Sequence, residues 1–157
     1  MRPLEYTAQG YAFHDWKLLL IHHKKLDLWL PVGGHIEPGE TPDDCVVREF
    51  KQETFLDIKL IEMSDITMDP LQQRICATPF YTDVHSVGDH DHYGMNFICI
   101  ALNPEELRIN NELKASDWFD KRQVLDDPRL MPSIRRQAED AFHIYRMYMI
   151  NRKTDKD

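Results

Sequence analysis

Apolar residues fall along this chain in short runs and in two stretches of helical spacing. Residues 17–22, Lys-Leu-Leu-Leu-Ile-His, form a compact apolar run that predicts a buried strand. Leu28-Trp29-Leu30 is a shorter run, closed by Pro31 and the Gly33-Gly34 pair, which read as a turn. Ahead of both, residues 5–14 mix aromatic and polar side chains up to a turn at His14-Asp15. Further strands are predicted around 56–68, 74–84 and 95–101, with a short one at 116–119. A polar loop is expected at 85–92, between two of them.

Helical spacing is clearest over residues 41–54, where Val46, Val47, Phe50 and Thr54 recur and are expected to face the core. Thr41 suits the N-cap, Pro42 the first helical position, and Asp44 completes a Thr-x-x-Asp variant of the capping box. Asp43 and Asp44 also complement the positive end of the helix dipole. A second helix opens at Pro132, with Ile134, Ala138, Ala141, Tyr145 and Tyr148 stepping by three or four. No repeat or linker divides the chain, so one domain over residues 1–150 is expected, followed by a charged, fraying tail at 151–157. Strands mixed with helices predict an α/β (α+β) sandwich with helices packed on a mixed central sheet.

Composition narrows the function classes. The chain has 157 residues, 42% hydrophobic and 29% charged, which is ordinary for a globular domain. Its net charge of −8 disfavours a nucleic-acid polymer as partner. Phosphorylated small molecules stay open, because a bound divalent cation can invert the local field. No apolar run approaches the roughly 18 residues of a membrane span. Met1-Arg2-Pro3-Leu4-Glu5 leads into no apolar segment, so no secretory leader is expected. Cys45, Cys76 and Cys99 lack CxxC spacing and read as reduced thiols of a cytoplasmic protein, each a small buried hydrophobe.

The chemistry concentrates on the first helix. Glu49, Gln52 and Glu53 stand at i, i+3 and i+4, on one face. Two carboxylates and an amide oxygen suit Mg²⁺, which takes oxygen ligands. Pro31-Val32-Gly33-Gly34 lets backbone approach a ligand closely and could add a carbonyl oxygen. Acidic residues on an exposed helix face are usually only solvated. The order of the surrounding segment outweighs that reading.

The segment runs Gly34-His35-Ile36-Glu37-Pro38-Gly39-Glu40, seven residues, then Arg48-Glu49-Phe50-Lys51-Gln52-Glu53-Thr54-Phe55-Leu56. It resembles the Nudix box, Gly-x5-Glu-x7-Arg-Glu-U-x-Glu-Glu-x-Gly-U, with U a bulky aliphatic residue. Gly34, Glu40, Arg48, Glu49, Glu53 and Leu56 match position for position. The resemblance implies the Nudix α/β/α sandwich and a Mg²⁺-dependent hydrolase, with Mn²⁺ as an alternative ion. Its substrate would be a diphosphate linkage in a nucleoside diphosphate joined to another group: a nucleoside triphosphate, a nucleotide sugar or ADP-ribose. Glu49 and Glu53 would be metal ligands, with the Gly33 carbonyl beside them and Gln52 at a further ligand position. Glu49 could instead be the general base. Arg48 would orient a carboxylate, with Glu40 as its partner. Glu112, six residues before Trp118, would be another acidic ligand or base; a plain surface glutamate is the alternative.

Two positions depart from the box. Gln52 replaces the first glutamate of the pair, which removes a charge and predicts weaker metal binding. Phe55 replaces the glycine, where a positive φ would cost about 1–2 kcal/mol, so the helix is expected to end differently. The departures leave a second class open: a non-catalytic Nudix domain that binds a nucleotide-like ligand as a sensor.

His85, His90 and His92 fall close together with Asp89 and Asp91 between them. His90 and His92 are candidates for substrate phosphate contact or for a transition metal, with His22 and His23 able to join them. A solvated polar loop is favoured over zinc, because no cysteine partner completes a closed pattern. Trp29, Tyr81, Tyr93 and Phe97 could stack a nucleobase, against the ordinary role of core aromatics. Residues 145–149 read as a helix packing face that could also support a homodimer.

Overall fold

A computed structural model describes residues 1–62 and 68–154. β1 (Leu4–His14) turns at Asp15-Trp16 into β2 (Lys17–His23). Both turn residues have positive φ, 48° and 62°, the backbone twist that suits a two-residue hairpin. β3 (Leu28–Leu30), β4 (Val32–His35) and α1 (Pro42–Thr54) follow, then β5 (Ile58–Leu60), β6 (Tyr81–Val87), β7 (His90–Ala101) and β8 (Leu113–Phe119). The described chain closes with α2 (Lys121–Asp126) and α3 (Pro132–Thr154).

Among the described residues the eight strands form one mixed sheet. Its path runs β3-β2-β1-β7-β5, with β4 on β1, β6 on β7 and β8 on β2. The spine is the long parallel pair β1 and β7, in register from Leu4↔Asp91 to Phe13↔Ile100. Both faces of the spine are covered where it is apolar, over Tyr11–Phe13 and Phe97–Ala101. Tyr11, Phe13, Leu18, Leu20 and Ile98 point to a core shared with Ile134, Ala138, Phe142 and Tyr145 of α3. Their neighbours Ala8, Ala12, Leu19, Ile21, Phe97 and Cys99 point the other way, onto Cys45, Val46 and Phe50 of α1. The period of two along each strand thus sorts side chains between two helix layers, giving the α/β/α sandwich.

α3 is anchored by aromatic stacking and one buried hydrogen bond. Phe13 stacks on Tyr145 at 4.5 Å between ring centroids, and the Tyr11 hydroxyl donates to Gln137 Oε1 at 2.7 Å. On the other face, a Cβ at Gly10 would lie 2.5 Å from the Phe50 ring, so only glycine lets α1 settle this closely on β1. That contact fixes the depth of the helix carrying Glu49 and Glu53.

Several expectations change. Val47 is 43% exposed, because a residue one step past Val46 is turned about 100° away from the core. Gly33 and Gly34 are strand residues of β4 and not a turn. The polar loop shrinks to Gly88-Asp89, with its flanks in β6 and β7 paired from Tyr81↔Asn96 to Val87↔His90. Residues 74–80 are irregular, and the strand begins at Tyr81. The strand expected over 56–68 is three residues long, and its part at 63–67 lies outside the described residues. α3 continues to Thr154, past the expected start of the tail, whose last three residues are likewise outside. Cys45 and Cys99 are buried as expected, but Cys76 is exposed. No described helix is long and apolar enough to cross a membrane.

Candidate active site

α1 begins as its sequence dictates. The Thr41 side chain accepts from the Asp44 N–H, and the Asp44 side chain accepts from the Thr41 N–H, so the capping box is closed in both directions. Its far end is tied down by the segment before β8. The Arg108 N–H donates to the Thr54 carbonyl at 3.1 Å, and the Asn110 N–H to the Glu53 carbonyl at 3.0 Å. The Asn110 amide adds a bond to the Gln52 carbonyl at 3.2 Å. These groups satisfy carbonyls that a helix end leaves unpaired. The same segment carries Glu112, whose carbonyl accepts from the Lys24 N–H at 3.0 Å. Glu112 is therefore clamped between α1 and the end of β2.

The helix ends in a left-handed residue after all: Phe55 has φ 64° and ψ 8°, and its N–H donates to the Lys51 carbonyl. The expected different ending does not occur, and Phe55 adopts the conformation that glycine favours.

β4 faces the acidic side of α1. A Cβ at Gly34 would collide with the Glu49 carboxylate, so glycine there lets the carboxylate reach the strand backbone. Arg48 is the hub of the arrangement. Its Nε donates to Glu40 Oε1 at 2.6 Å and its Nη2 to Glu40 Oε2 at 3.0 Å, a bidentate pair. Nη1 donates to Glu49 Oε1 at 2.8 Å and to Gln52 Oε1 at 3.3 Å. Nη2 also donates to the His35 carbonyl at 3.0 Å. One guanidinium thus ties α1 to both the loop before it and the end of β4. Its hydrogen bonds, more than its charge, hold the Glu40 carboxyl below the usual range.

Glu53 lies deepest, 4% exposed. Burial pushes its carboxyl up to about 8, with Glu49 and Glu112 adding repulsion, while a backbone hydrogen bond from Gly33 works in the opposite sense. Glu49 is also raised, first by burial, with Arg48 opposing. Glu53 Oε2 is buried with no hydrogen-bond partner. An unpaired buried carboxylate oxygen costs several kcal/mol, and a cation supplies the missing partner. The residues present therefore fit a hard divalent ion.

The cleft that unites these groups has a volume of about 670 Å³. Gly33, Arg48, Glu49, Gln52, Glu53 and Glu112 all line it, and Glu40 adjoins them through Arg48. His23, Lys24 and Lys25 line it too, basic residues that the motif did not single out. The adjacent Lys-Lys pair in the turn after an apolar strand was the available signal.

Trp29 lies elsewhere. It is 8% exposed, stacked on His22 and covered by the Arg129 guanidinium at 4.9 Å, within the core. His22 pairs with Asp27, away from His90 and His92. Those two histidines stand on β7 beside His35, whose residue also borders the cleft.

The fold and the cleft define an α/β sandwich with an acidic, helix-borne site set against a strand backbone. The Nudix domain family model matches residues 9–141. The chain belongs to the Nudix family and is a hydrolase of that family. It is similar to the crystal structure of a Nudix-family hydrolase from Clostridium perfringens, at 25% identity and TM-score 0.79 over 90% of this chain and 97% of that one. A C. elegans Ap4A hydrolase shares the fold at 15% identity and TM-score 0.66, covering 94% of this chain and 98% of that one. An ADP-ribose pyrophosphatase from Streptococcus suis does so at 22% identity and TM-score 0.54, over 87% and 86%.

Proposed function

We propose that the protein is a Mg²⁺-dependent hydrolase, with Mn²⁺ as an alternative ion, that cleaves a diphosphate linkage in a nucleoside diphosphate joined to another group. The observation that carries this reading is the buried, unpartnered Glu53 Oε2 in a cleft shared with Glu49 and Glu112. Glu53 holds the ion together with Glu49 or Glu112, with the Gly33 carbonyl beside them. The N–H and C=O of one strand residue point to the same side, and the Gly33 hydrogen bond to Glu53 puts that side toward the cleft. The bound ion neutralises charge on the diphosphate and lowers the pKa of water.

The remaining work falls to the chain. Arg48 holds Glu49 in place while Glu40 holds Arg48. The one of Glu49 and Glu112 that does not hold the ion takes the proton from the attacking water. Lys24 and Lys25, which line the same cleft, bind phosphate oxygens, which counters the repulsion from a chain of net charge −8. The solved relatives that act on Ap4A and ADP-ribose support a small nucleotide as the substrate class. The protein works as a cytoplasmic enzyme on small molecules and not on nucleic-acid polymers.

The test is a panel of nucleoside triphosphates, nucleotide sugars, ADP-ribose and dinucleoside polyphosphates, incubated with Mg²⁺ or Mn²⁺ and resolved for products. Release of a nucleoside monophosphate, or of pyrophosphate or phosphate, from at least one compound is expected. A folded protein that binds a compound without turning any over would establish the sensor reading instead.

A further inference from the structure

Three histidines outside the acidic cluster of α1 meet from strands far apart in sequence. Glu5 on β1, His35 on β4, and His90 and His92 on β7 bring four ligand atoms together, all within 4.8 Å of one another. Sheet register makes this meeting obligatory. Glu5 pairs with His92 across β1 and β7, Thr7 pairs with His35 across β1 and β4, and His90 and His92 alternate onto one face.

We propose that Glu5, His35, His90 and His92 form a binding site for a zinc-type d-block cation, separate in its ligands from the acidic site of α1. Three of the spacings come close to a metal's. Bonds of about 2.0–2.1 Å place the corners of a tetrahedral zinc roughly 3.3 Å apart. The Nε2 atoms of His90 and His92 are 3.0 Å apart, and they lie 3.4 Å and 3.6 Å from Glu5 Oε2. His35 Nε2 is 2.6 Å from that same oxygen, a hydrogen bond that opens by a few tenths of an ångström when an ion takes its place. Three imidazole nitrogens and a carboxylate select zinc or its neighbours over Mg²⁺, which takes oxygen ligands.

An outer group is in place as well. His90 Nδ1 lies 3.0 Å from Asp89 Oδ1, the carboxylate-to-imidazole contact that orients a metal-bound histidine. The site is also wired to the cleft. The His35 carbonyl accepts from Arg48 at 3.0 Å, so fixing the His35 ring steadies the strand end on which Arg48 rests. Two of the four ligands, Glu5 and His35, lie far in sequence from the histidine-rich hairpin, so no local motif signals the group.

Cobalt absorption tests this directly. Co²⁺ is titrated into the chelator-treated full chain in excess Mg²⁺, and its visible bands distinguish tetrahedral from octahedral coordination. A single Co²⁺ per chain with intense tetrahedral bands is expected, displaced by Zn²⁺. The bands should persist in Glu53→Gln. His90→Ala should weaken Co²⁺ binding at least ~10-fold, the lower end of what even an outer partner contributes. Glu5→Gln, an exposed carboxylate, should do the same without disturbing the fold, which circular dichroism checks. Bands that survive His90→Ala and Glu5→Gln, bands lost in Glu53→Gln, or no tetrahedral bands at all would each overturn the proposal. None of these readouts depends on catalytic turnover.

Discussion

Glu53 concentrates the electrostatics of the cleft. Its carboxyl is raised from 4.5 to about 8, so the folded protein retains a proton that the unfolded chain releases between those values. Its contribution to stability is therefore complete below the lower value and is lost as pH rises through the upper one. Glu53→Gln removes that dependence. In chelator, wild type should lose thermal stability relative to Glu53→Gln as pH rises from about 4.5 to about 8. Parallel melting curves across that range would show that the carboxylate is not buried against its neighbours. Lys25 lines the same cleft. Lys25→Ala should raise KM about 10-fold with kcat little changed, the size of one charged hydrogen bond to phosphate. Steady-state kinetics on the substrate found by the product screen checks this, and an equal loss in kcat would move Lys25 into the chemistry.

α1 and β4 act as a pair, and they were unequally legible. The helix announced itself through Thr41, Pro42 and Asp44, because capping is local chemistry written in adjacent residues. The facing strand was hidden, because Gly33 and Gly34 carry no strand propensity. Their place in β4 comes from pairing with Gln9 and Ala8 and from the close approach of Glu49, both tertiary facts. The histidine hairpin was hidden for the same reason, since its order comes from the parallel pairing of β7 with β1. Phe55 shows tertiary contacts overriding a local preference: the bonds from Arg108 and Asn110 hold the helix end in the form glycine would favour. Phe55→Gly should therefore stabilise the protein by about 1 kcal/mol, raising Tm by about 2–4 °C in a domain of this size. Gly34→Ala should push Glu49 off the strand and raise the Mg²⁺ needed for half-maximal activity at least ~10-fold, on the scale of losing a supporting group. A variant that titrates like wild type would remove Gly34 from the account.

The whole molecule is a sandwich whose parallel spine holds both helix layers in place. Its class was readable from the apolar runs and the two helical stretches, and its site from Glu40, Arg48, Glu49 and Glu53, which the box fixes at set intervals. What the sequence left dark came from distance along the chain: the lysine rim, the placing of Trp29 in the core and the joining of His35 to the β7 histidines. A divalent ion that binds only the folded state should stabilise the molecule by about 2.7 kcal/mol at a hundred times its Kd. That corresponds to a Tm rise of roughly 5–10 °C for a domain of this size, seen in wild type and lost in Glu53→Gln. The central claim is that Glu53 anchors the ion that makes the cleft hydrolytic. Its most direct test is kcat/KM for wild type and Glu53→Gln, side by side at saturating Mg²⁺ on one diphosphate substrate. A fall of about 10²-fold or more, with the fold intact, is predicted, as for the loss of a principal charge-stabilising group. Equal turnover by the two proteins would contradict it.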